Sequence, residues 1–217
     1  MNITRKIINN RLQTGGKRSL SAIKFIVIHD TANQGKGADA MAHYKYLQTA
    51  TRYGSAHYYV DDKVIIQTID DDTIAWAVGD KWARKNRTRS DVTNTNSLNV
   101  ELCINQGIDK VKAYNNLLWL TKYLMAKYPS EVVRHYDATG KPCPSTWQAN
   151  NWEQWHKFKK ELINMPSKWA EKDWKWAVDN HITDGSNPQG QCTREQVICM
   201  LKRVYDLVKK EVQDEQN

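Results

Sequence analysis

Three residues whose side chains can ligate a transition metal say most about this sequence: His29 in the segment IVIHDTA at 26–32, and His135 and Cys143 in RHYDATGKPCP at 134–144. Imidazole nitrogen and thiolate sulfur suit zinc. Three protein ligands with an open fourth position is how a catalytic rather than a structural zinc is held. Such an ion lowers the pKa of its water to about 7 and so supplies a nucleophile at neutral pH. The spacing alone does not settle the matter, because the sequence has no compact CxxC or HExxH signature. Taken singly, a His at a strand end is an ordinary structural residue and a Cys between prolines an ordinary buried thiol.

The wider context is more specific. After IVIHDTA come SAHYYVDD at 55–62, SLNVELCIN at 97–105 and then RHYDATGKPCP. Four segments in this order resemble the type 2 N-acetylmuramoyl-L-alanine amidases, a family that includes phage endolysins, bacterial autolysins and the peptidoglycan-recognition proteins of animals. The resemblance runs over roughly residues 20–160. It implies a zinc amidase fold, a mixed central β-sheet with helices on its faces. It also implies Zn2+ on His29, His135 and Cys143, bacterial peptidoglycan as substrate, and hydrolysis of the amide between N-acetylmuramic acid and the L-alanine of the stem peptide.

A thiolate makes zinc less electrophilic than a third imidazole would, so the attacking water needs a base. Glu101 is the candidate. It interrupts the apolar run LNVELCI, and strand alternation places it on one face with Asn99 and Cys103. A carboxyl in such surroundings has a raised pKa suited to proton transfer, and the family places its catalytic Glu at this motif. The other reading is an exposed Glu on an edge strand. Lys141 stands two residues before Cys143, where the family often has a Lys near the metal; a fixed ammonium there would stabilise a tetrahedral oxyanion. Some phage members use a Tyr just before the His of the second motif, but here that place is Ala56, so the role is not carried over. His57 is expected to pack or hydrogen-bond near the groove, and His43 to be a surface or structural residue. Asp30 stands where many relatives have a second His; it either orients a ligand as an acceptor behind it or caps a loop. His156 and His181 receive no role.

The elements that must hold these residues follow from periodicity. Ile23–Ile28 reads as a short buried strand. Residues 38–49 follow as a helix, and Ala56–Val60 with Val64–Ile69 reads as a hairpin. Residues 80–96 form a polar loop, which the resemblance places beside the substrate groove. Leu98–Ile104 is a further strand, residues 110–128 a helix ending before Pro129, Glu131–Val133 a lead into His135, and residues 150–163 a helix. Alternating strands and helices make this an α/β domain. Met165-Pro166-Ser167 marks a boundary, giving a catalytic domain over 1–164 and a small helical C-terminal domain over 165–217. In the latter, Thr193 and Gln196 form a capping box ahead of an apolar helical stripe. The pattern WAV…HITDG…TREQ…MLKRVY resembles a single S-layer-homology motif, with His181 where Gly is usual. That resemblance implies a wall polymer as partner; self-association of the tail is the other reading.

The length suits one ordinary domain and a small one, and about 150 residues bury a sizeable core without staples. The four cysteines lack the paired spacing of a secreted disulfide scaffold: Cys103 reads as core, and Cys192 and Cys199 as structural thiols. The net charge is +8, and it sits in residues 1–164, with 24 Lys/Arg against 15 Asp/Glu, whereas 165–217 hold 8 against 9. Such a charge draws an anionic polymer. Without a nucleic-acid motif, the anions of a bacterial wall fit better than nucleic acid, although a polyanion binder or a non-catalytic peptidoglycan-binding module remains the alternative class. The basic N-terminus lacks the apolar core of a Sec signal, and no run reaches the ~18–20 apolar residues of a membrane span. The expectation is a protein made in the host cytoplasm without a Sec signal, acting on the wall after release, as a phage or prophage endolysin does.

Overall fold

The computed structural model describes residues 2–79, 88–163, 166–185 and 188–214. Part of the polar loop expected at 80–96, and Met165 at the expected boundary, lie outside the described residues. Backbone contacts divide the chain into two compact units, Met1–His156 and Lys157–Asn217.

The first unit is built on eight strands: β1 (Ile3–Arg5), β2 (Thr14–Lys17), β3 (Phe25–Asp30), β4 (Tyr58–Val60), β5 (Ile65–Gln67), β6 (Thr73–Ala75), β7 (Ser97–Leu102) and β8 (Glu131–Arg134). Six of them form one sheet in the order β1-β5-β4-β7-β3-β8, and β2 pairs with β6 in a small second sheet. The large sheet is parallel at every junction except the β4–β5 hairpin. Helices α1 (Ala40–Thr49), α2 (Lys110–Lys127) and α3 (His135–Thr139) belong to the same unit. This is the mixed α/β fold with helices flanking a central sheet.

The centre of the sheet follows directly from composition. In β3 all six residues are buried, as a strand covered on both faces requires. Fully burying Ile26, Val27 and Ile28 contributes about 1.5–3 kcal/mol each relative to exposure. The α2 helix starts at an Asp109 cap, whose side chain accepts from the Lys112 N–H, and buries Ala113, Leu117, Leu120, Thr121 and Leu124 along one face. It stops at Tyr128, ahead of Pro129. Asp39 caps α1 in the same way. The buried carboxylate of Asp61 accepts from the Ala40 N–H at 3.0 Å and closes the β4–β5 turn through Lys63 and Val64.

Some features differ from the sequence expectation. Strands β1, β2 and β6 are too short, at three or four residues, to carry a readable alternation. The strand expected at Leu98–Ile104 runs from Ser97 to Leu102. Helix α4 (Ala149–Ile163) has left-handed backbone angles at Asn150, Asn151 and Trp152. Asn tolerates that region, and Trp152 is held there against the Arg134 guanidinium, 4.3 Å from the ring centre, and against Tyr136 at 4.9 Å. The division between the two units falls within this helix, earlier than the expected 164/165.

The second unit contains α5 (Glu171–Asp179) and α6 (Arg194–Asp214). The Thr193 N–H donates to Gln196 Oε1 at 2.8 Å and the Gln196 N–H to Thr193 Oγ1 at 3.2 Å, a reciprocal cap. Cys192 and Cys199, expected as structural thiols, are exposed, because the turn and face that carry them point to solvent.

Candidate metal centre

Parallel strands place their carboxyl ends together, and open α/β sheets bind ligands beyond those ends. Here β7, β3 and β8 lie side by side. His29 is the penultimate residue of β3, Glu101 is its register partner on β7, and His135 is the residue immediately after β8. The chain then makes one short helix, α3. Arg134 and Asp137 cap its start, and Gly140, at φ 74°, ends it. Only glycine takes that left-handed conformation without cost. The turn brings the chain back so that the Tyr136 N–H donates to the Cys143 carbonyl at 3.0 Å. A His and a Cys eight positions apart thereby face the same point.

His29, His135 and Cys143 are all buried, and their ligand atoms lie within 4.8 Å of one another. The two Nδ1 atoms are 3.0 Å apart, and Cys143 Sγ is 3.9 Å from His29 Nδ1. Ligands on one tetrahedral zinc stand about 3.3–3.6 Å apart, given its bond lengths to nitrogen and sulfur; one separation is about 0.3 Å shorter and the other about 0.3 Å longer than that range, so small side-chain shifts would let this donor set hold the ion. Behind His29, the Nε2 atom meets Asn99 Oδ1 at 3.1 Å. With the ring proton on Nε2 it donates to that oxygen, which leaves the Nδ1 lone pair facing its fellow ligands. Asn99 Nδ2 donates in turn to Ser97 Oγ at 3.2 Å, which sets the orientation of the amide.

Glu101 lies on a central strand, not on the edge. Its Oε2 atom is shielded from solvent and has no hydrogen-bond partner among the described residues. Burial, helped by the charge of Asp30 and opposed by Lys141, pushes its pKa up to about 8. Burial also pushes the Cys143 thiol up and the His135 imidazole down, so the neutral forms are favoured. A dication held here reverses the first trend, since it keeps a coordinating thiol deprotonated. Lys141 is half-buried, and its charge acts on Glu101, His135 and Cys143 together.

The remaining histidines separate cleanly. His57 is fully buried. Its Nδ1 accepts from the Asn99 N–H at 3.1 Å and its Nε2 faces the Thr73 carbonyl at 3.0 Å. Burial and the nearby Arg18 charge push its pKa down to about 3, so it is a neutral strut between strands. His43 is half-buried and stacked on Tyr59, with ring centres 5.3 Å apart. The Asp30 carboxylate accepts from Ser145 and Thr146 and not, among the described residues, from the candidate ligands His29 and His135. Asn99 was visible in the sequence only as a polar residue on the Glu101 face. Ser145 and Thr146 gave no signal.

Residues 19–146 match the family model described as N-acetylmuramoyl-L-alanine amidase, Amidase_2. The chain belongs to this family. It is 36% identical over 132 residues to the N-acetylmuramoyl-L-alanine amidase XlyA of Bacillus subtilis (strain 168), an alignment covering 58% of this chain and 42% of that relative. It therefore spans less than half the length of that relative. The solved catalytic domain of XlyA superposes with a TM-score of 0.61 at 31% identity, covering 75% of this chain and 99% of that one. A structure of a mutant endolysin from Bacillus subtilis gives a TM-score of 0.61 at 33% identity, covering 74% and 98%. The matched family region ends at residue 146, so the C-terminal segment lies beyond it.

Proposed function

We propose that this chain is a zinc-dependent N-acetylmuramoyl-L-alanine amidase that cuts bacterial peptidoglycan between N-acetylmuramic acid and L-alanine, in the manner of a phage or prophage endolysin. The convergence of two buried imidazoles and a thiol beside a buried carboxyl oxygen that has no hydrogen-bond partner among the described residues carries this reading. Family membership supplies the substrate class, because relatives across the matched region are named for this activity.

His29, His135 and Cys143 would hold the ion. Zinc bound there would supply Lewis acidity towards water and the scissile carbonyl. The protein's own groups do the rest. Glu101, with a pKa brought near neutrality, takes a proton from the attacking water and returns it to the departing L-alanine nitrogen. Lys141 places a positive charge where the carbonyl oxygen becomes negative. Asn99 holds the His29 ring so that Nδ1 stays available. His57 keeps its strand in register and takes no part in proton transfer.

We infer that residues 165–217 form a separate module that recognises a wall polymer or a second copy of the chain. Its exposed apolar residues support this. Ile198, Leu201, Tyr205, Val208 and Val212 recur at alternating three- and four-residue steps along α6, the spacing of a helix seam, and Trp169 is 86% exposed.

Purified cell wall incubated with the protein tests the catalytic reading. Mass analysis should find intact glycan strands and stem peptides with a newly free L-alanine amine. Release of reducing sugars or cleavage within the peptide would refute it.

A further inference from the structure

Asp30 is 4% exposed, yet its carboxylate is directed neither at solvent nor at a ligand ring. Oδ2 accepts from the Thr146 N–H at 2.8 Å, from Thr146 Oγ1 at 2.9 Å and from Ser145 Oγ at 2.9 Å, while Oδ1 lies 3.0 Å from the same Ser145 hydroxyl. The Asp30 backbone carbonyl is 4.0 Å from Cys143 Sγ. A single residue at the end of β3 therefore grips the loop that carries the third ligand, immediately beside the first ligand, His29.

Among the described residues, the loop's other hydrogen bonds near the thiol are local: Gln148 Nε2 donates to the Pro142 and Ser145 carbonyls at 3.3 and 3.1 Å, and the Trp147 N–H to the Pro144 carbonyl at 3.2 Å. Cys143 sits between two prolines, neither of which has an N–H to donate. The Cys143 carbonyl accepts from Tyr136 and its N–H bonds only locally, to the Lys141 carbonyl at 2.7 Å. These two bonds tie Cys143 to its own α3 turn, which carries His135. The bonds to Asp30 instead tie the loop to β3, which carries His29. Hydrogen bonds to a carboxylate are stronger than those to a neutral acceptor, and a buried carboxylate with several donors is a stiff joint.

We propose that Asp30 is a positioning residue that clamps the 143–146 loop to the end of β3 and so sets the separation of the Cys143 and His29 ligand atoms. The inference rests on the zinc reading above. The carboxylate touches no reacting atom; it acts through the loop. Its negative charge, close to Cys143 and Glu101, also makes the surroundings more favourable to a dication.

The test compares the full chain with Asp30→Ala, Asp30→Asn and the double variant Ser145→Ala/Thr146→Val, which removes the hydroxyl partners from the other side. Zinc affinity is measured by competition with a chromophoric chelator. The Co2+-substituted proteins are compared by the thiolate-to-cobalt charge-transfer band and the visible bands of tetrahedral cobalt. Asp30→Ala should bind zinc about 10–100-fold more weakly, the usual effect of losing a residue behind a ligand, with a weakened thiolate band at temperatures where circular dichroism shows a folded protein. Asp30→Asn keeps one acceptor oxygen and should recover part of the affinity. Adding Asp30→Ala to the double variant should cost less than it does alone, because the joint is already broken. A folded Asp30→Ala with native affinity and an unchanged cobalt spectrum overturns the clamp. If Asp30→Ala does not fold, the double variant decides: native affinity and spectrum overturn the clamp, and weaker binding supports it. A native protein that binds no zinc overturns the metal reading and the clamp with it, a result distinct from a native protein with zinc and indifferent variants.

Discussion

If Glu101 is the base proposed above, replacing it by Gln isolates the proton-transfer step from the rest of the site. The substitution keeps size and shape and removes only the capacity to ionise. Its structural cost should be small, because Oε2 has no partner to lose among the described residues and the group, with a pKa of about 8, is largely protonated at pH 7 before any cation binds. The proposed ligands His29, His135 and Cys143 are untouched, so zinc content should stay near the expected one per chain. Catalysis should not survive so well. Loss of a positioned base costs typically 10²–10⁴-fold, or about 3–5.5 kcal/mol of barrier. The assay is the initial rate at which free L-alanine amines appear from purified wall, alongside metal content and thermal unfolding. The wild-type rate should show an acid limb set by ionisation of Glu101, and the residual rate of the variant should lack it. A zinc-loaded, folded Glu101→Gln within a few-fold of the wild-type rate would refute the assignment and move the base elsewhere.

Further outcomes follow from the same geometry. Cys143→Ser should lower zinc content and wall hydrolysis together, and a chelator should abolish activity that added zinc restores; full activity in a metal-free sample removes the metal reading. His57, held neutral with a pKa of about 3, has a depressed folded value. The stability it contributes is therefore present above its unfolded pKa of about 6.5 and lost as pH falls towards 3, up to about 5 kcal/mol. In excess zinc, unfolding of His57→Gln should accordingly depend less steeply on pH between 6.5 and 3, and equal slopes would contradict the strut. Removal of residues 165–217 should leave cleavage of soluble muropeptides intact while weakening lysis of whole cells and any self-association seen by sedimentation; a truncated protein that binds and lyses cells as well as the full chain rules out wall targeting by this segment.

The sequence carried the parts of this site that depend on residue type in local context. A His closing an apolar β-branched run, a Glu inside LNVELCI and the dense RHYDATGKPCP turn are anomalies against simple burial patterns, and each can be read without knowing what lies beside it. The fold class was legible for the same reason, since β3, β7, α1 and α2 are long enough for their periods to show. Strands β1, β2 and β6 were not, because three or four residues pair through backbone contacts that arrive from distant sequence, as when Ile3 meets Ile65.

What the sequence could not carry is coupling across the sheet. Asn99 lies 70 residues from His29 and Asp30 lies 115 from Ser145, and neither pair has a spacing rule. Their partners are chosen by strand order: β7 and β8 flank β3, so every residue at the end of β3 can reach a group on either neighbour or on the loop that follows it. His29 and Asp30 use that position in opposite directions. The first turns to Asn99 on β7 and to its fellow ligands, and the second to the loop beyond β8. An Asp beside a metal-binding His invites the expectation of an acceptor for that imidazole, but alternation sends adjacent strand residues to opposite faces. Asn99, sharing the His29 face, takes the imidazole, and Asp30 is left to hold the loop that delivers the thiol.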